Sequence, residues 1–170
     1  MGVVILMVNK RIWTFVLILT VVGFWVMNIY PTQANENTVN YTLTDLNNRD
    51  FSYKDLHGAS FAGATMWNAH FEGANLQATI LTKADFLRAN LKAADFTGTF
   101  ADRVSFDETD LTNAIFTDAM LMSSTFRNAT VTGADFSEAM VDRYQIKLMC
   151  EKASGKNPIT GVETRKSLGC

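Results

Sequence analysis

Taken in steps of five from Leu46, the chain reads Leu46, Phe51, Leu56, Phe61, Met66, Phe71, Leu76, Leu81, Phe86, Leu91, Phe96, Ala101, Phe106, Leu111, Phe116, Leu121, Phe126, Val131, Phe136 and Val141. Twenty positions hold one phase, and Ala101 is the single small residue among them. A period of five matches neither the 3.6 residues of a helical turn nor the two of a strand, so neither element can keep these side chains on one face. The chain therefore has to turn in every unit. Two residues ahead of the apolar position a small side chain recurs, as in Ala59, Ala64, Ala84, Ala94, Ala114 and Ala134, and Asp or Asn often stands between the two.

If each unit forms one side of a four-sided coil, 20 residues close a turn and every large apolar side chain points to the axis. Coils stacked at the inter-strand spacing of about 4.8 Å give about five coils and a rod roughly 24 Å long. Four interior columns follow, among them Met66, Phe86, Phe106, Phe126 and Leu56, Leu76, Phe96, Phe116, Phe136. The expected class is an all-β solenoid over residues 44–141. Thr44, Arg49 and Lys54 occupy the small-residue slot of the first coil and mark it as an edge, while Val104 in that slot beside the undersized Ala101 predicts a local bulge over 99–105.

The units ANLQA at 74–78, ADFLR at 84–88, ANLKA at 89–93, ADFTG at 94–98 and ADFSE at 134–138 resemble the pentapeptide-repeat family, whose unit is A-(D/N)-L-x-x. The resemblance spans 44–143 and implies a right-handed quadrilateral β-helix. It speaks to fold and not to activity, because the shared residues are those that build the rod. After Val141 the pattern breaks. Tyr144, Ile146, Leu148 and Met149 fit a short helix from about Asp142 to Lys152, with Asp142 as its N-cap, which would cover the last open coil.

The ends of the chain speak to compartment. Lys10 and Arg11 precede an apolar run from Ile12 to Tyr30 that Pro31 closes, the layout of a signal peptide or a transmembrane helix serving as a single anchor. In either case the body is exported. The expected organisation is a leader or anchor at 1–34 with processing after Ala34, a linker at 35–43, the repeat at 44–141, and a cap helix and tail at 142–170. The chain has two cysteines, Cys150 and Cys170, and in an exported chain these are expected to pair. Closing a loop of about 20 residues contributes roughly 3 kcal/mol on the chain-entropy model. A redox pair is the alternative, though no C-x-x-C is present. Cys150, the run Gly155-Lys156-Asn157-Pro158-Ile159-Thr160-Gly161 and the final Ser167-Leu168-Gly169-Cys170 are also similar to the C-terminal portion of family members from the thylakoid lumen of cyanobacteria and plants. That likeness implies a thylakoid-lumen or periplasmic location.

Acidic and basic side chains number 17 and 15, which gives no basic surplus for nucleic acid. Residues 44–141 hold 13 acidic and 7 basic groups, and residues 142–170 hold 3 and 6. No phosphate-cradling glycine motif and no G-x-S-x-G occurs, and His57 and His70 fall on different sides of the coil, so no catalytic residue, cofactor or metal ligand set is assigned. Trp67 and Leu87 follow their core residues by one position, one coil apart, and form a candidate partner patch against the bland reading of scattered surface apolar residues. Asp102, Asp107, Glu108, Asp110 and Asp118 form a candidate acidic cluster, whose bland reading is a solvated face. The expectation is a non-enzymatic exported module that binds or scaffolds a protein and touches a membrane only through 12–30 if that segment is retained. The alternative is an enzyme accessory or divalent-metal-responsive factor using the acidic cluster. A third reading, implied by the resemblance alone, is an acidic DNA mimic that binds a topoisomerase.

Overall fold

Every five-residue unit uses its backbone in the same way. The carbonyl of the core residue accepts the amide three residues on, as from Ala64 to Phe61 at 2.9 Å and from Ala89 to Phe86 at 2.8 Å. Two residues after each core residue the backbone is left-handed, from Leu43 (φ 55) to Glu138 (φ 57) without interruption, the pattern of a type II turn. Fifteen of these twenty residues are not glycine, and each carries a steric cost of about 1 kcal/mol or more. The cost is offset because the amide so turned donates to the next coil, as Lys83 does to the Asp102 carbonyl at 3.0 Å and Arg103 to that of Met122 at 2.9 Å. The residue that closes the turn faces inward at the corner, where Ala64, Ala74 and Ala94 are buried and a compact side chain is the usual occupant.

The structure, a computed structural model, describes residues 39–170. All of them lie in the second of two units of the chain, Met1–Glu36 and Asn37–Cys170. The leader expected at 1–34 lies outside the described residues. Coils are joined through parallel bridges between residues 20 apart in an unbroken series from Asn40↔Ser60 to Met120↔Met140. Core amides donate 19 residues forward, as from Phe106 to the Thr125 carbonyl at 2.8 Å, and bridge amides donate 21 residues back, as from Asp85 to that of Ala64 at 3.0 Å.

Two expectations are corrected here. The all-β solenoid, a quadrilateral β-helix, is not what the described residues form, for among them no strand or sheet occurs and each coil-to-coil bridge stands alone. The reason is local: a five-residue unit spends two residues on its turn, and only one reaches bridging geometry, so no run grows into a strand. Among the described residues the regular elements are two short helices, α1 at Arg143–Cys150 and α2 at Thr164–Leu168. The expected transmembrane helix is corrected likewise, since among the described residues no helix is long and apolar enough to cross a membrane. Residues 12–30, on which that expectation rested, lie outside the described residues.

Inside the coil the aromatic columns stack. Phe96, Phe116 and Phe136 follow one another at 4.6 and 5.0 Å with planes within 3° of parallel. Phe86, Phe106 and Phe126 do so at 5.5 and 5.1 Å. Between columns the rings meet edge to face, as Phe106 meets Phe116 at 5.6 Å and 84°. No bulge occurs over 99–105, where the bridges Ile80↔Phe100 and Ser105↔Thr125 keep the register. Val104 and Ala101 are both buried, so the branch on one offsets the volume missing from the other. The Val104 amide donates to Ser124 Oγ at 2.9 Å, and that hydroxyl donates to the Ala101 carbonyl at 2.5 Å. Upstream, the coil begins before residue 44, with Tyr41 stacked on Phe61 at 5.0 Å.

The last coil has no successor to receive its amides, and groups from the tail stand in for one. Ser123 N donates to Asp142 Oδ2 at 2.7 Å, Phe126 N to Gln145 Oε1 at 3.1 Å, and Phe136 N to Ser167 Oγ at 3.0 Å. Gly133 N donates to the Ser154 carbonyl at 2.8 Å. Asp142 thus serves the coil, and its side chain makes no capping bond to α1. Asn157, 1% exposed, donates through Nδ2 to the carbonyls of Asn113 at 3.1 Å and Gly133 at 2.9 Å, while its Oδ1 accepts from the amides of Ile159 and Thr160. A Cβ on Gly133 would lie 2.1 Å from Asn113 Oδ1, so a larger residue here would require the Asn113 side chain to move. A disulfide joins Cys150 at the end of α1 to Cys170, with Cα atoms 5.7 Å apart. These contacts close an edge that would otherwise template pairing with another chain.

Candidate functional site

The first residue of each turn stacks on its counterpart one coil away, so one corner of the rod carries Asn47, Trp67, Leu87, Asp107 and Arg127 in order. Trp67 is 43% exposed and Leu87 is half-buried. Trp67 is held at its backbone and at its ring: the main-chain amide donates to Asn47 Oδ1 at 2.7 Å and the indole Nε1 to Asp85 Oδ2 at 2.7 Å. The other oxygen of Asp85 accepts the Leu87 amide at 3.0 Å. One carboxylate therefore fixes both members of the apolar pair, and Trp67 presents a ring whose rotamer entropy is already spent. Beyond Leu87 lies a depression of about 210 Å³ lined by Leu87, Asp107, Glu108, Arg127 and Asn128.

The acidic residues do not converge. Asp102 pairs with Arg103 at 2.7 Å, Asp107 with Arg127, Glu108 with Arg88 at 2.8 Å, and Asp110 with Lys92 at 3.2 Å. Asp118 stands exposed at another corner. Among the described residues no group of His, Cys, Asp and Glu could hold a metal ion. Asp85, Asp95 and Asp135 accept the amides of Leu87, Thr97 and Ser137, two residues on, and so brace their own turns.

Asp107 is the most enclosed member of the set. Burial alone would raise its carboxyl, but bonds from the Arg127 guanidinium, the Thr125 hydroxyl and the Arg127 amide outweigh burial and hold it below its ordinary value of 3.8. A carboxyl lowered in the folded state stabilises the fold above its unfolded value and loses that contribution as pH falls through its folded value. Asp107→Asn is therefore expected to lower stability by about 1 kcal/mol at pH 7, with allowance for the water around Arg127. The deficit should begin to shrink as pH falls below 3.8 and vanish only once pH is below the lower folded value, as measured by urea unfolding of both proteins across pH. A deficit that persisted at pH 2 would mean that the site acts through shape and not charge.

The residues that sequence reasoning missed are Gln145, Ser154, Asn157 and Ser167. Their signal is faint, because one polar side chain in a tail looks like any other until the coil it closes is in view. The run around Asn157 carried a hint, since a proline and two flanking glycines mark a built turn.

The described residues form a rod of repeated turns whose interior positions recur and whose outward side chains vary, so its surface is where a function would reside. The family model for pentapeptide repeats matches residues 42–77, 69–106 and 102–138, and the chain belongs to the pentapeptide-repeat family. It is 58% identical over 36 residues to the chloroplastic thylakoid lumenal protein TL20.3 of Arabidopsis thaliana, a match covering 21% of this chain and 13% of that protein's length. The crystal structure of a pentapeptide repeat protein from the Arabidopsis thaliana thylakoid lumen superposes with a TM-score of 0.75 at 32% identity, over 76% of this chain and 90% of the other. These relatives are consistent with a non-enzymatic protein.

Proposed function

We propose that this chain is a non-catalytic scaffold in the thylakoid lumen or periplasm that binds another protein through the corner bearing Trp67 and Leu87. The observation that carries this reading is the fixed indole: a ring held through Nε1 by Asp85, on a backbone tied to Asn47, and yet 43% exposed costs little further ordering when a partner covers it. The exported location is supported by relatives whose names place them in the thylakoid lumen. The reading as a divalent-metal factor draws no support from the acidic residues, four of which hold a cation of their own.

Pairing Trp67→Ser with Leu87→Asp is expected to weaken capture of the native partner at least tenfold. The thermal transition should stay in place, because neither side chain belongs to the stacked interior. The check is a quantitative comparison of what the parent and the double variant retain from a lumenal extract. Equal retention by the two proteins would sink the assignment of this corner.

A further inference from the structure

Three of the four sides of the coil carry polar residues at the outward bridge position. The fourth begins with Asn40 and Ser60 and then runs Ile80, Phe100, Met120 and Met140, each bridged to the next. These four side chains are 44%, 52%, 40% and 54% exposed. They form one continuous apolar ladder, roughly 15 Å long at about 4.8 Å per coil. On the other three sides the single apolar bridge residue is Ile115. It is buried, at the level where Asn157 fastens the tail to the carbonyls of Asn113 and Ala114. The chain thus covers one outward isoleucine and leaves a ladder of four in solvent.

We propose that this ladder is a self-association face that receives a second copy of the chain, side by side and parallel. The corners flanking it differ in sign. The corner that follows carries Lys83, Arg143 and the ion pair Arg103–Asp102 against Asp142, whose side chain is bound to the Ser123 amide, whereas the repeat residues of the corner that precedes it carry Asp118 and Glu138 as their charged groups. A two-fold axis running along the rod lays the ladder on its own counterpart and sets the basic corner of each copy against the acidic corner of the other. An axis across the rod would set like against like. Parallel alignment also keeps the rungs in register, since both copies repeat at the same spacing. A ladder of four half-exposed side chains is smaller than the interface of a stable dimer, so the association is weak and the dimer dissociates on dilution. The face is separate from the Trp67 corner, and the inference does not depend on the function proposed above.

On a two-fold axis a residue meets its own counterpart, which gives a direct test in the full chain. Met120→Cys is expected to yield a disulfide-linked dimer under mild oxidation, and Thr130→Cys, on the opposite side, is not. Adding Phe100→Arg to the Met120→Cys protein should weaken association about thirtyfold, seen as loss of the linked dimer at matched concentration. Sedimentation of the otherwise unaltered chain should show the dimer dissociating with dilution. Should the arginine disturb folding, seen as a lowered thermal transition, Phe100→Ser replaces it. Glu138→Arg alone should also weaken the dimer, and combining it with Arg143→Glu should restore it. A monomer at every concentration, equal linkage at 120 and 130, or a dimer indifferent to Phe100→Arg and Phe100→Ser would overturn the proposal. Failure of the charge exchange to restore the dimer would overturn the parallel arrangement.

Discussion

Truncating Phe106 to Ala is expected to lower the free energy of unfolding by about 3–5 kcal/mol. The ring is fully buried and touches four others. It stacks on Phe86 and Phe126 and meets Phe96 and Phe116 edge to face. Little can relax into the space it would leave, because the backbone on each side is held by bonds to the coils before and after it. The Phe106 amide donates to the Thr125 carbonyl at 2.8 Å, and the Asp110 amide donates to the Ala89 carbonyl at 3.1 Å. Phe51, in the first coil, provides the comparison. It is 7% exposed and stacks on one ring of its own column, Phe71 at 4.8 Å, so Phe51→Ala should cost clearly less. Denaturant titration of both variants reads the difference, and equal costs would mean that the rod does not confine its middle more tightly than its end.

Asn157→Ala should destabilise the protein by about 3 kcal/mol, a loss that its side-chain volume alone would not produce. The amide nitrogen satisfies carbonyls of Asn113 and Gly133, and the amide oxygen orders the turn through Ile159 and Thr160. Removing it leaves buried acceptors without a donor, each costing about 1–3 kcal/mol. Asn157→Asp separates the two halves of the role. It keeps the acceptor but aims an anion at two carbonyl oxygens, so it should be at least as damaging as alanine at pH 7 and recover in part in acid. Thermal unfolding at pH 7 and pH 3 is the check. An Asp variant as stable as the parent would show that the turn, and not the grip on the coil, is what Asn157 provides.

The interior of this protein was legible because burial and period coincide. Every fifth side chain from Leu46 to Val141 is the same kind of residue, and only a coil of turns can hide such a series. The secondary structure was less legible. Twenty units in register suggested sheet, but two of each five residues go to the turn, and the remaining backbone pairs one residue at a time. At the candidate site, Trp67 and Leu87 could be placed on one corner by counting, whereas Asp85, which fixes both, looked like one more repeat carboxylate. The acidic residues at 102, 107, 108, 110 and 118 are neighbours in the sequence and not in function, since Asp102, the adjacent Asp107 and Glu108, Asp110 and Asp118 fall at different places around the coil. Their cations sit one coil away at Arg88, Lys92 and Arg127, or beside them at Arg103, a distance in sequence that local charge counting does not span. The apolar ladder was hidden for the same reason, as Phe100 and Met120 look like isolated exposed residues until a step of twenty is applied to the outer positions.

The bridges that join residues 20 apart also make the length of this rod a stepped quantity. A duplication or deletion of one whole coil would return every following residue to its former side, and the closing tail would meet the surface it meets now. A change of five residues would instead turn all that follows by one side. The interior would still fill, since each side offers the same apolar position, but Trp67 and Leu87 would part from each other's corner if the change fell between them. Descent by copying units can therefore alter the height of such a rod freely in whole coils, while smaller steps leave its core intact and rewrite its surface.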